Sequence, residues 1–301
     1  MLRSLSFLSI LLLALGNTVH SELASDTVVV GKIPRLWGIW LPVDDMDKAI
    51  RFYKDGCGLA VASRDFYPRT VSFHFEDYYL ICFLVDTLPP KQEMKESMLE
   101  VNFSTRSVAD GIDSLRFFGA ILPDTVTRES GIGGTIHFRD PFGTVGNLIK
   151  VESFPTQKAI DIYNIGVQVH NMASSRRFYV AQLGIPVLTE RYYPPTVPLG
   201  GPGGGFTFAV HDLSTLPAAE VPFDRARRLI LEVANLDTLK ASLSAKGVTP
   251  LPQIPGSTTY GKRLILKDPS GNYVEVIQSR SSAFDRRPRK IVQSKESPVS
   301  K

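Results

Sequence analysis

The chain has 301 residues, of which 43% are hydrophobic and 21% charged, and its formal net charge is +4. This composition is typical of a folded soluble protein and excludes an intrinsically disordered one. Much of the positive excess lies in residues 286–290 of the polar segment 281–301, which we expect to be a disordered basic tail. The sequence contains no basic stripe with interleaved aromatic residues, so we do not predict nucleic-acid binding.

The first 21 residues have the composition of a secretory signal peptide. Arg3 provides a positive charge, Leu5 to Leu15 is an apolar run, and the small residues Val19 and Ser21 precede the expected cleavage point. The apolar run is shorter than the roughly 20 residues that a bilayer requires, so we expect no stable membrane insertion after cleavage. The sequence therefore predicts a secreted or periplasmic protein whose mature chain begins near Glu22.

The next segment predicts one β-α-β-β-β unit. Residues 35–43 form an apolar strand, and Asp44 or Asp45 can cap the helix that follows. Apolar residues at 46, 49, 50 and 53 share one helix face, and further strands are predicted at 59–63, 70–76 and 78–86. Cys57 and Cys82 fall in this unit, and the sequence leaves open whether they pair in an oxidising compartment or remain buried thiols.

Three more units of this pattern follow. The second has strands at 98–104, from 120, at 135–139 and at 148–152, with a helix at 108–118 closed by Gly119. Residues 162–212 repeat the first unit with a glycine-rich insertion at 198–205; a strand follows this insertion, which favours a hairpin or lid over a phosphate-binding loop. The fourth has strands at 228–233, 263–267 and 273–278 and a helix at 236–246. We therefore predict an α+β fold of four β-α-β-β-β modules.

The units are arranged as a duplication. Phe52-Tyr53 returns as Phe178-Tyr179, a distance of 178 − 52 = 126 positions, and Tyr67 corresponds to Tyr193 at the same distance. Asp140-Pro141-Phe142-Gly143 returns as Asp268-Pro269-Ser270-Gly271, at 268 − 140 = 128. A period this long indicates two copies of one domain rather than a solenoid. We place the domains at residues 35–154 and 160–280.

These landmarks resemble the vicinal oxygen chelate superfamily, which includes glyoxalases, extradiol dioxygenases, and fosfomycin and bleomycin resistance proteins. The most specific segment is Asp268-Pro269-Ser270-Gly271-Asn272-Tyr273-Val274-Glu275, and the resemblance covers about residues 35–280. It implies two tandem glyoxalase-like open-barrel domains, each with a cleft. In many members the cleft holds a divalent metal ion that polarises the substrate.

The resemblance also implies where metal ligands should lie, on the first strands of two modules and on the last strand. In the first half these positions fall on Gly38, near Glu100, and on Asn147 or Lys150. In the second half they fall on Asn164, Arg228 and Glu275. Only Glu275 matches the family, and Arg228 could form an ion pair with it. The usual metal triad is therefore expected to be degraded.

Other side chains offer alternative sites. His74 and His137 lie in predicted strands and, with Glu100, would form a displaced set of two histidines and one carboxylate, suited to iron or zinc; each histidine could equally be hydrogen-bonded core. Tyr67 and Tyr193 could pack on a flat ligand or merely cover the end of a strand.

Two functions remain open, besides a purely structural pair of domains. The first is a secreted binding protein for a small oxygen-rich molecule, without a cofactor, using Tyr67, Tyr193, Arg228 and Asn164. The alternative is a metal-dependent glyoxalase-like lyase or isomerase, or a dioxygenase. It would use divalent Fe, Zn, Mn or Ni, with Glu275 and His137 as catalytic residues and Glu275, Glu100, His74 and His137 as candidate ligands. Association into a homodimer is left open.

Overall fold

The structure is a computed structural model that describes residues 33–75, 78–88, 99–122, 127–128, 134–151, 160–191, 195–200, 208–212, 226–252 and 262–278. The predicted signal peptide, most of the glycine-rich insertion, Tyr193 and the predicted basic tail lie outside these ranges. Within the described ranges, no helix has the length and apolar character needed to cross a membrane.

The elements fall into four modules. Module I contains β1 (Arg35–Val43), α1 (Met46–Ile50), β2 (Ala60–Phe66), β3 (Thr70–Phe75) and β4 (Tyr78–Leu84). Module II contains β5 (Leu99–Thr105), α2 (Val108–Phe117), β6 (Thr127–Arg128), β7 (Gly134–Arg139) and β8 (Val145–Lys150). Module III contains β9 (Ile160–Val169), α3 (Met172–Arg176), β10 (Thr196–Leu199) and β11 (Phe208–Asp212). Module IV contains β12 (Arg228–Val233), α4 (Leu236–Ala245), β13 (Arg263–Lys267) and β14 (Tyr273–Gln278).

Every module starts its helix in the same way. A short polar side chain in extended conformation accepts a hydrogen bond from the backbone N–H three residues later, which satisfies a donor that the first helical turn leaves open. The four caps are Asp45, Ser107, Asn171 and Asn235. Of the two aspartates proposed from the sequence, Asp45 is the cap.

The helices of modules I and III each continue into a π-helical turn, Arg51–Gly56 and Arg177–Gln182. The repeated Phe-Tyr pair lies in this turn in both modules, with all four rings buried. π-helical turns are rare and usually serve a specific contact. Here the contact is made by the tyrosine of each pair.

The strands of the described residues form two seven-stranded sheets. Sheet 1 has the order β13-β14-β12-β1-β4-β3-β2, and sheet 2 has the order β10-β11-β9-β5-β8-β7-β6. The first strands of two modules pair antiparallel at each centre, β1 with β12 and β5 with β9. Sheet 1 therefore joins modules I and IV, and sheet 2 joins modules II and III. Each sheet contains strands from both predicted domains, 35–154 and 160–280. These limits therefore describe the sequence repeat, and whether each range folds as an independent unit remains a prediction.

Buried hydrogen bonds connect the modules that are adjacent in sequence. The Tyr53 hydroxyl donates to Asp140 Oδ2 over 2.5 Å, which joins modules I and II. The Tyr179 hydroxyl donates to Asp268 Oδ2 over 2.9 Å, which joins modules III and IV. Burial is the largest cause of the raised pKa of both tyrosines and of both aspartates. The repeated Phe-Tyr and Asp-Pro-x-Gly motifs are thus the two ends of one contact, and the four modules close into a ring.

The helices cover one face of each sheet. Apolar residues from all four modules form one connected core between helices and strands. Cys57 and Cys82 are free thiols buried in this core, and burial raises the pKa of both. The other face of each sheet, which we call the helix-free face, carries the alternate residues of every strand.

Candidate functional site

The positions that the resemblance assigns to metal ligands all lie on the helix-free faces, but they are divided between the two sheets. Gly38, Arg228 and Glu275 lie on β1, β12 and β14 of sheet 1. Glu100, Asn147 and Asn164 lie on β5, β8 and β9 of sheet 2. The sequence assigned Gly38 with Glu100 and Asn147 to one half. The pairing of module I with IV, and of II with III, regroups these residues.

Glu275 forms a buried ion cluster on sheet 1. Its carboxylate is 1% exposed; Oε2 lies 3.6 Å from Arg228 Nε, and Oε1 accepts from Arg263 Nη1 over 3.4 Å. The Arg228 guanidinium also lies over two aromatic rings, 4.8 Å from the centre of Phe83 and 5.3 Å from that of Trp40. The ion pair suggested by the sequence is therefore present, with a second arginine that the sequence did not indicate.

A metal-ligating side chain cannot replace Gly38 without a shift of the backbone. A Cβ atom at this position would lie 2.1 Å from the carbonyl oxygen of Tyr79 on the neighbouring strand β4. The expected ligand positions of sheet 1 thus hold one carboxylate, Glu275, which is shared between two guanidinium groups. A divalent cation needs several carboxylate or imidazole ligands and open positions, so these residues do not fit it.

Sheet 2 carries a hydrogen-bonded ladder of polar side chains across four neighbouring strands. His137 Nδ1 contacts Asn147 Oδ1, Asn147 Nδ2 donates to Asn102 Oδ1 over 2.5 Å, and Asn102 Nδ2 donates to Asn164 Oδ1 over 2.6 Å. Each step joins directly opposed residues, His137 with Asn147, Asn147 with Asn102, and Asn102 with Asn164. We call these four residues the amide ladder.

Glu100 borders the amide ladder on β5. Its carboxylate accepts from Gln168 Nε2 over 2.7 Å and from Asn102 Nδ2 over 3.4 Å. It lies across Gly166 of β9, where a Cβ would come within 2.3 Å of the Glu100 side chain. Amide groups dominate this face of sheet 2, and Glu100 already accepts hydrogen bonds from two of them. The side chains of this face therefore do not fit a divalent cation either. No group of three His, Cys, Asp or Glu side chains with ligand geometry occurs among the described residues.

The displaced metal set is not assembled. His74 lies on β3 of sheet 1, edge-to-face against Tyr79 with ring centres 5.4 Å apart, whereas His137 and Glu100 lie on sheet 2. The proposed catalytic residues Glu275 and His137 are divided between the sheets in the same way. The reason is topological: modules I and II contribute to different sheets although they are neighbours in sequence.

The proposed substrate-binding residues are also dispersed. Tyr67 is 47% exposed and its hydroxyl donates to Asp47 of α1 over 3.1 Å, at the outer end of β2 on the helix side. Arg228 and Asn164 lie on different sheets, and Tyr193 lies outside the described residues. Sequence reasoning missed Asn102 and Gln168. The sequence pattern that could have identified them is a polar residue at every second position of a strand, as in Leu99–Thr105 (LEVNFST).

Comparison with known proteins relates the second half of the chain to a family. Residues 161–276 match the family model described as the Glyoxalase/Bleomycin resistance protein/Dioxygenase superfamily. Residues 161–276 therefore belong to the vicinal oxygen chelate superfamily. No curated protein matches its sequence.

Solved structures of this superfamily agree with the fold over most of the chain. Glyoxalase I from Zea mays has a TM-score of 0.58 at 15% identity, over 81% of this chain and 92% of that chain. A putative dioxygenase from Bacillus subtilis subsp. subtilis str. 168 has a TM-score of 0.56 at 10% identity, over 86% of this chain and 92% of that chain. At such identities the likeness establishes the fold alone, and the predicted α+β class with tandem glyoxalase-like modules is confirmed.

Proposed function

We propose that this vicinal oxygen chelate protein binds a small oxygen-rich molecule on the helix-free face of sheet 2, without a metal ion at the family position. The observation that carries the proposal is the amide ladder, which occupies that position with hydrogen-bonding groups. Ligand sites commonly combine a few fixed polar groups with apolar walls. Amide and imidazole groups suit hydroxyl and carbonyl oxygens because they both donate and accept hydrogen bonds.

Sheet 1 is less suited to this role because its own side chains fill the corresponding place. Trp40, Ile81, Ile230 and Ile277 are buried there in a small cluster, with the Arg228–Glu275 pair beside them. On sheet 2, by contrast, His137 is exposed and Asn164 and Gln168 are partly exposed. His137 and Asn164, the two ends of the amide ladder, can therefore meet a ligand from solvent.

The alternative is a glyoxalase-like lyase or isomerase, or a dioxygenase, with divalent Fe, Zn, Mn or Ni. Its support is the family carboxylate Glu275, which is retained at 1% exposure. This function would require Arg228 and Arg263 to leave the carboxylate when a cation binds. Tight binding of one ion per chain, lost in Glu275→Gln, would establish it over the metal-free binding protein.

The test is side-chain amide NMR of the mature chain, purified without chelator and titrated in parallel with zinc, manganese, nickel and ferrous ions and with gallate, a flat oxygen-rich probe. We expect gallate to shift the amide signals of Asn102, Asn147 and Asn164. The capping residues Asn171 and Asn235 serve as internal controls, because their amides lie at helix starts away from the ladder. Shifts confined to the controls, or none at the ladder with any oxygen-rich probe of a wider panel, would refute the proposal.

Export belongs to the same proposal and rests on residues 1–21. Expression with the natural N-terminus in a secreting host should release a chain that begins near Glu22. Recovery of an uncleaved N-terminus from the cell interior would contradict secretion, and leave the binding proposal to be judged by the titration.

A further inference from the structure

The amide ladder has a direction that the Glu100 carboxylate sets. A carboxylate accepts hydrogen bonds and donates none, so the amide group that faces it must present its nitrogen. Asn102 faces Glu100 Oε1 with Nδ2 at 3.4 Å, and the same nitrogen donates to Asn164. Turning the Asn102 amide over would place its oxygen against the carboxylate, which is repulsive. Glu100 is 6% exposed, so water does little to relieve that repulsion.

This orientation passes along the ladder to His137. Because Asn102 keeps its nitrogen toward Glu100, its Oδ1 faces β8 and requires a donor, which Asn147 Nδ2 provides at 2.5 Å. Asn147 then presents Oδ1 to Nδ1 of His137. An amide oxygen only accepts, so Nδ1 of His137 must carry the proton. Asn102 and Asn147 are 4% and 6% exposed, and neither amide can exchange its partner for bulk water easily.

We infer that the amide ladder fixes the tautomer of His137: when the imidazole is neutral, its proton is on Nδ1 and Nε2 is the hydrogen-bond acceptor of the ring. In this arrangement Asn147 and Asn102 are positioning residues and His137 is the binding residue. The ligand class that fits carries a hydroxyl or N–H group that donates to Nε2. This ligand assignment rests on the proposed function, whereas the tautomer of His137 does not.

The tautomer is tested by long-range ¹H–¹⁵N correlation spectra of the imidazole rings in the mature protein, with the His137 signals assigned from His137→Gln. We expect the pattern of an Nδ1-protonated ring for His137 in the unmodified chain. Asn147→Leu removes the acceptor and should abolish that preference. Asn147→Asp loses the donor to Asn102 but retains an acceptor oxygen for Nδ1, so a neutral His137 should regain its proton on Nδ1. An Nε2-protonated His137 in the unmodified chain overturns the inference without any variant, and so does an unchanged tautomer in a folded Asn147→Leu protein.

The ligand class is tested with 4-cyanophenol and its methyl ether, which have the same flat shape but differ in the O–H donor. We expect the phenol to bind about tenfold more tightly than the ether, and the ratio to fall to about one in His137→Phe. Equal binding of both probes to the unmodified chain would overturn the acceptor role of Nε2. Such a result leaves the proposed function standing when gallate still shifts the ladder amides. Loss of both readouts refutes the proposed function as well.

Discussion

At the scale of single residues, Glu275 keeps the carboxylate expected at a metal-ligand position but pairs it with arginines. Its carboxylate is compensated by Arg228 and Arg263, and the side chain of Arg228 is 9% exposed. Glu275→Gln should lower the free energy of unfolding by about 3–5 kcal/mol, because it leaves a buried guanidinium without its counter-charge. Urea unfolding at neutral pH measures this loss.

The matched control for Glu275→Gln is Asp237→Asn, which breaks the exposed Lys262–Asp237 pair at 3.4 Å. That substitution should cost less than about 1 kcal/mol. In the double variant Arg228→Met with Glu275→Gln, both charges of one pair are absent, so the loss should be smaller than the sum of the single losses. Additive losses would show that Arg228 does not compensate Glu275.

Gly38 sets a second single-residue limit on sheet 1. Gly38→Ala places a Cβ 2.1 Å from the Tyr79 carbonyl, so β1 and β4 must separate locally, and we expect a loss of about 2 kcal/mol or more. Gly184→Ala is the control, because its Cβ would have no neighbour within 4 Å and only the positive φ of 76° is unfavourable. A Gly38→Ala variant as stable as the parent would show that this position can accept a side chain.

At the scale of elements, the contact between the π-helical turn and the Asp-Pro-x-Gly turn links stability to alkaline pH. Tyr53 and Tyr179 have folded-state pKa values raised well above 10.0, so the folded chain keeps both protons after the unfolded chain has lost them. Their contribution to stability is complete below about pH 10 and declines as pH rises through the folded pKa values. Each tyrosine should contribute up to about 1.4 kcal/mol per pH unit to the decline.

The measurement is urea unfolding between pH 9 and 11 for the unmodified chain and for Tyr53→Phe with Tyr179→Phe. The double variant should be less stable at pH 8, since Asp140 and Asp268 each lose a hydrogen bond, but its stability should fall less steeply above pH 10. Cys57 and Cys82 act with the same sign from about pH 9 and are present in both proteins, so the difference in slope isolates the tyrosines. Equal slopes would contradict the assignment.

Local elements were predictable because their signals are local. The strands Arg228–Val233 and Tyr273–Gln278 have the predicted bounds, and α2 and α4 begin where short polar side chains can cap them. The π-helical turns and the contact that Tyr53 makes from one of them were not predicted, because Asp140 lies 87 residues further along the chain. The Arg228–Glu275 pair followed from two family positions, whereas the amide ladder required knowing that β7, β8, β5 and β9 are neighbours.

At the scale of the whole molecule, the sequence repeat does not determine which modules share a sheet. The first strand of every module resembles the others, so each could pair with the first strand of more than one module. The ring of modules predicts that the sequence halves do not fold separately. Residues 22–154 alone would expose β1 and β5, which in the intact chain pair with β12 and β9. Open central edges of this kind recruit other strands.

We therefore expect residues 22–154 and 155–301, expressed separately, to be unfolded, aggregated or self-associated rather than folded monomers. Mixed in equal amounts, they should form a one-to-one complex with the circular dichroism spectrum of the intact chain. Sedimentation velocity with circular dichroism separates the cases. Two stable monomeric halves would instead show that 35–154 and 160–280 are autonomous domains, and that the sheets can exchange the partners seen here for pairings within each half.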